Sequence, residues 1–202
     1  MSEKILEDNY NGEPWFSDIQ KYIEDRWHAI EFRLFQTFRY VQPHPRNRDT
    51  FSYEFASILR DCGSVFASTL AEFVKNTNTT IGKDPGIKEF CQFLKADIPN
   101  ISFYGVRLIP LTLENYTLRP YYSLVKARPE SKWWDGYNSV KHGEMGHYDK
   151  GNLGNVINAM GAVAILCNLM GVYSNTDYLV HVIGDYSSYD LKPDDILFPD
   201  SV

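Results

Sequence analysis

Several common features are scarce in this chain, and each scarcity narrows the function. Only three cysteines occur in 202 residues, Cys62, Cys91 and Cys167, widely scattered and none in a CxxC pair. Such a set points away from a disulfide framework or a zinc site and toward buried thiols in a reducing cytoplasm. Long hydrophobic runs are missing too. The most apolar stretch, 159–172, is broken by Asn168 and falls short of the roughly 20 residues that span a bilayer. Neither GxxxxGK[ST] nor GxGxxG is present, so a Walker-type or dinucleotide site is not expected. Positive charge is in deficit, with 20 Lys and Arg against 26 Asp and Glu. A net charge of −6 argues against a broad non-specific nucleic-acid coat, but not against a local basic patch. No internal repeat is visible.

Aromatics, by contrast, are abundant: 14 Tyr, 12 Phe and 4 Trp, within a chain that is 44% hydrophobic. A disordered chain is thereby excluded, and the length suits one domain with a substantial core. The expected organisation is a flexible leader over 1–13, polar and unlike a signal peptide, a helical domain over 14–173, and a Tyr/Asp-rich tail over 174–202. A soluble, cytoplasmic protein without membrane contact is expected.

Hydrophobic spacing supplies the fold class. Pro14 suits a helix first turn, and Ile19, Ile23, Trp27, Ile30, Leu34, Phe38 and Val41 recur at steps of three or four. Pro43 and Pro45 should end that helix. A second helix is predicted over 50–75 (Phe55, Ile58, Leu59, Cys62, Phe66, Leu70, Phe73), a third over 85–95, a fourth over 130–142 and a fifth over 149–173. Residues 101–125 carry extended segments broken by Pro110 and Pro120. The fold class is therefore an all-α, up-and-down bundle of four to five helices with a small β excursion at about 101–125. Small residues of the last helix, Gly154, Ala159, Gly161 and Ala162, permit close helix approach and suggest a homodimer interface.

The most informative stretch is Trp133-Trp134-Asp135-Gly136-Tyr137-Asn138-Ser139-Val140-Lys141-His142. At helical spacing Asp135, Asn138, Ser139 and His142 share one side, while Trp133 and Tyr137 stack on a neighbouring face. An imidazole side chain suits general acid–base work, which makes His142 a candidate; the same residue also suits a helix C-terminus, where a cation meets the dipole. Trp133, Trp134 and Tyr137 fit either base stacking or a packed core. Asp135 fits either a partner of His142 or a first-turn acid. Arg33, Arg39, Arg46 and Arg48, with Lys126, Arg128 and Lys132, would form a basic rim for phosphate if folding gathers them. His142, His147 and Asp149 have no recognisable ligand spacing, so neither metal nor cofactor is expected.

The element Trp134-x-x-Tyr137-Asn138-x-x-Lys141-His142, followed by Asn152, Asn155, Asn158 and Ala159, resembles the YN-x-x-KH type of prokaryotic HEPN-like helical domains. A further likeness is the basic, Pro-containing linker leading into Thr50-Phe51-Ser52-Tyr53. The resemblance implies a dimeric helical bundle directed at RNA, in many members a metal-independent endoribonuclease of toxin or phage-defence systems with a cognate antitoxin or defence partner. It would make His142 the proton-transfer group, Lys141 the charge that meets the transition state, and Asn138 the orienting group. Asp135, Trp134, Tyr137, Arg128, Lys132, Arg46 and Arg48 would bind the ligand. The family's motif arginine is not matched: Tyr137 and Gly136 stand before Asn138, and the nearest upstream arginine is Arg128. The alternative is therefore a catalytically degenerate module that binds nucleic acid, nucleotide or protein.

Overall fold

The computed structural model describes residues 14–77, 86–98, 100–108, 118–122, 132–143, 146–169 and 180–185. The leader 1–13, Lys126, Arg128 and most of the stretch 174–202 lie outside them. Helix α1, Pro14–Thr37, buries Ile23, Trp27, Ile30 and Leu34 along the predicted stripe. It stops before Pro43. Thr37 donates its hydroxyl to the Leu34 carbonyl at 2.6 Å, and the chain tightens into i→i+3 turns at Phe38, Arg39 and Tyr40.

Helix α2, Tyr53–Thr77, begins where Ser52 Oγ accepts the Phe55 amide at 3.0 Å, an N-cap that satisfies one orphan donor of the first turn. Arg33 of α1 donates to Glu54 and Ser57 of α2, both at 2.9 Å, and to Asp61. Arg33 thus joins two helices and does not belong to a basic rim. Helix α3, Ile87–Asp97, inserts Phe90 and Phe93 into the core.

Strand β1, Tyr104–Leu108, pairs antiparallel with β2, Val180–Asp185, in the register Tyr104↔Asp185 and Leu108↔Val180. The β excursion is there, but its strand partner comes from within 174–202, and among the described residues of 109–131 Leu118 alone bridges back to Val106. Ile101, Val106, Leu118 and Tyr121 complete that side of the core.

Helix α4, Lys132–Lys141, packs against α2 and α5, and α5, Leu153–Leu169, also lies along α2 and the two strands. Every residue of α5 over 156–167 is buried. The helix starts four residues later than periodicity suggests, because Tyr148–Lys150 form a separate 3-10 turn and Asn152 Oδ1 caps the Asn155 amide at 2.9 Å. Its small residues serve internal packing: a side chain at Gly161 would meet Val106 Cγ2 at 2.8 Å. Ala159, Gly161 and Ala162 are thus spent inside the chain's own fold, while Gly154 is half-buried at the surface. The result is an all-α bundle with a small two-stranded sheet.

Candidate functional site

Two faces of α4 have opposite fates. Trp133 is fully buried, and its indole N–H donates to the Pro120 carbonyl at 3.1 Å. Phe66 meets it edge-on, with ring centroids 5.1 Å apart. Trp134 packs on Phe66, Trp133 and Tyr137, and Tyr137 is buried over Gly63, where an added Cβ would lie 2.1 Å from its ring. These aromatics anchor α4 on α2 and are not in the cleft. Lys141 reaches back over the Tyr137 ring, 5.3 Å from its centroid.

The other face looks onto a cleft of about 360 Å³. Lys132, Asp135, Gly136 and Ser139 of α4 line one side; Lys150, Asn152, Gly154, Asn155 and Asn158 line another, and Arg48 and Asp49 of the linker close it. Backbone pairing places that linker: Ser52 N–H donates to Gly151 O, Leu153 N–H to Thr50 O and Gly154 N–H to Arg48 O, at 3.2, 3.0 and 2.8 Å. Residues 48–52 therefore run beside 151–154, directly before α5. Gly136 lets α4 approach α5, since a Cβ there would stand 2.6 Å from Asn155 Nδ2.

The wall chemistry is polar, with cations and carboxylates interleaved. Arg48, Lys132 and Lys150 face two lining carboxylates, Asp49 and Asp135. Arg48 pairs with Asp49 at 3.3 Å and Lys150 with Asp149 at 3.4 Å. Asn155 and Asn158 each donate a side-chain amide N–H, to the carbonyls of Lys150 and Gly154, at 2.8 and 3.0 Å. Their side-chain oxygens receive no donor from the described residues, which leaves them to accept from a ligand.

Of the expected site residues, folding brings Arg48, Lys132 and Asp135 to one cleft. Arg46 is exposed and outside it, with its amide donating to His44 Nδ1 at 3.1 Å. Asn138 lies partly buried outside the lining, and its carbonyl accepts the His142 amide at 3.2 Å. His142 is exposed at the end of α4, just before Gly143 at φ +66°, the left-handed residue that commonly closes a helix. That is the helix-end position, one turn beyond Ser139. Lys150 was not singled out by sequence reasoning. Asn152, Asn155 and Asn158 carry a readable signal, since a step of three puts polar groups on one side at the start of an otherwise apolar helix.

Among the described residues no group of three or more His, Cys, Asp or Glu side chains is placed to hold a metal, and no helix is long and apolar enough to cross a membrane. No family model, curated protein or solved structure matches the chain.

Proposed function

We propose that this protein is a HEPN-like binding module whose α4–α5 cleft takes a phosphate-bearing ribonucleotide, free or as part of RNA. The observation that carries it is the convergence of Arg48, Lys132 and Lys150 with Ser139, Asn155 and Asn158 on one cleft of about 360 Å³. Cations meet the phosphate. The amide oxygens accept from ribose hydroxyls or a base amino group. The test is calorimetric titration with the four ribonucleoside 5′-monophosphates at low salt. Binding that weakens about tenfold or more in Lys132→Ala, and falls as salt rises, is expected. No heat with any of the four, or equal affinity in Lys132→Ala, overturns the reading.

A second reading keeps the same fold as a metal-independent endoribonuclease. It is favoured by the exposure of Lys141 and His142 together at the end of α4, one turn from the cleft residue Ser139. There His142 moves the proton and Lys141, in place of the family's arginine, meets developing phosphate charge. A homodimer, with a cognate antitoxin or defence partner and action in the cytoplasm, belongs to this proposal.

A further inference from the structure

Three large aromatic side chains stand in solvent on the segments that build the cleft. Phe51 is 57% exposed, Tyr53 81% and Tyr148 47%. They are placed by the same backbone pairing: Phe51 bridges Asn152, Tyr53 is the first residue of α2, and Tyr148 opens the 3-10 turn that ends on Lys150. The rings of Tyr53 and Tyr148 meet edge-on, their centroids 5.5 Å apart. An apolar ring in water forgoes burial worth a few kcal/mol, and here three such rings are carried by the segments that line one polar cleft. They do not fill the core, which is already closed by Phe55, Ala56 and Leu153.

We propose that Phe51, Tyr53 and Tyr148 form a stacking shelf continuous with the cleft, so that the ligand is a single-stranded RNA segment and not an isolated nucleotide. The inference rests on the cleft binding a ribonucleotide phosphate. Lys132, with Arg48 and Lys150 beside it in the lining, holds a backbone phosphate, and the flanking bases leave the cleft over the shelf. Bases stack on exposed aromatic rings whatever their sequence, because each presents a π face. A duplex cannot use the shelf, since its bases are already stacked on each other. RNA is favoured over DNA because the open acceptors, Asn155 and Asn158 Oδ1, suit the 2′-hydroxyl as donor.

The test compares a ribonucleoside monophosphate, a single-stranded hexaribonucleotide, its DNA counterpart and an RNA duplex by fluorescence anisotropy and calorimetry on the full chain. The hexaribonucleotide should bind more tightly than the mononucleotide by about five- to 150-fold per stacked base, and more tightly than DNA or duplex. In Tyr53→Ala and Tyr148→Ala the ratio of hexanucleotide to mononucleotide affinity should fall, and Tyr53→Phe should restore it. Tyr53→Trp should show indole quenching with the hexanucleotide. If the mononucleotide binds and length adds nothing, or if the alanine variants keep the ratio, the shelf is refuted while the cleft stands. If no mononucleotide binds, or if the cleft variant Lys132→Ala leaves hexanucleotide binding as it was, the ribonucleotide cleft itself has failed. Equal affinity for duplex overturns the single-stranded assignment.

Discussion

Helices α4 and α5 lie against each other yet use sequence in different ways. Helix α5 is buried all round over 156–167, and Asn158 is the one polar residue that this stretch takes into the interior. Helix α4 buries Trp133, Gly136, Tyr137 and Val140 and offers Lys132, Asp135 and Ser139 to the cleft. The lesson is that the polar groups of the cleft sit where burial changes sign, on the open side of α4 and in the first turns of α5. A helix that is apolar on every side must be central; a helix that carries a cluster of aromatics on one side is free to present chemistry on the other.

The largest expected effect breaks the buried side of α4. Trp133→Ala removes a fully buried indole, its edge contact with Phe66 and its bond to the Pro120 carbonyl. Denaturant unfolding should show a loss of about 3–5 kcal/mol. A loss below about 1 kcal/mol would mean that α4 is not anchored through this ring. Next comes the contact between the two helices: Gly136→Ala pushes a methyl against Asn155 and should cost about 1–3 kcal/mol. Stability equal to wild type would show that the helices separate freely at that point.

The core side can also be read through its thiols. Burial raises the Cys62 thiol far above its ordinary value of 9.0, with the Asp61 carboxylate adding to the effect. Burial likewise pushes Cys167 of α5 up to about 12. A folded-state pKa above the unfolded one gives stability that is complete below about pH 9 and is lost as pH climbs toward the folded value. The unfolding free energy should therefore decline between about pH 9 and 12, and less steeply in Cys167→Ala once each protein is referred to its own neutral-pH stability. In a Cys91→Ser background both remaining thiols should resist a thiol reagent at neutral pH until the protein unfolds. Rapid labelling of the native protein would contradict the burial of both.

Much of the fold could be read from spacing alone. The stripe Ile23, Trp27, Ile30 and Leu34 is buried as its period demands, and so is Phe55 to Leu70 on α2. Pairings between distant segments could not. Strand β1 finds β2 across most of the bundle, and nothing local in either strand names its partner. The cleft shows the same limit. Asn152, Asn155 and Asn158 announce a polar side, but their meeting with Arg48 and Lys132 depends on the 48–52 segment running beside 151–154. Within the aromatic and Lys-His element, spacing alone does not separate chemistry from packing: its tryptophans and Tyr137 are spent on packing, and His142 is exposed.

The smallest stability effect is expected at that histidine, and it sharpens the contrast within α4. His142 is exposed, and its backbone amide, which any residue supplies, makes the last bond of the helix to the Asn138 carbonyl. Gly143 supplies the left-handed turn that follows. His142→Ala should therefore change unfolding free energy by less than about 1 kcal/mol, the scale of an exposed charge at a helix end, against several kcal/mol for Trp133→Ala on the same helix. Because the fold survives, the variant separates the two functional readings cleanly. Under the binding-module reading, His142→Ala binds a hexaribonucleotide with wild-type affinity, and neither protein cleaves it in EDTA. Under the ribonuclease reading, wild type cleaves in EDTA, His142→Ala does not, and Lys141→Ala loses about 2–4 kcal/mol of transition-state stabilisation. Cleavage by wild type that persists in His142→Ala would remove proton transfer from this residue and leave the cleft of Arg48, Lys132 and Lys150 as the place to look for it.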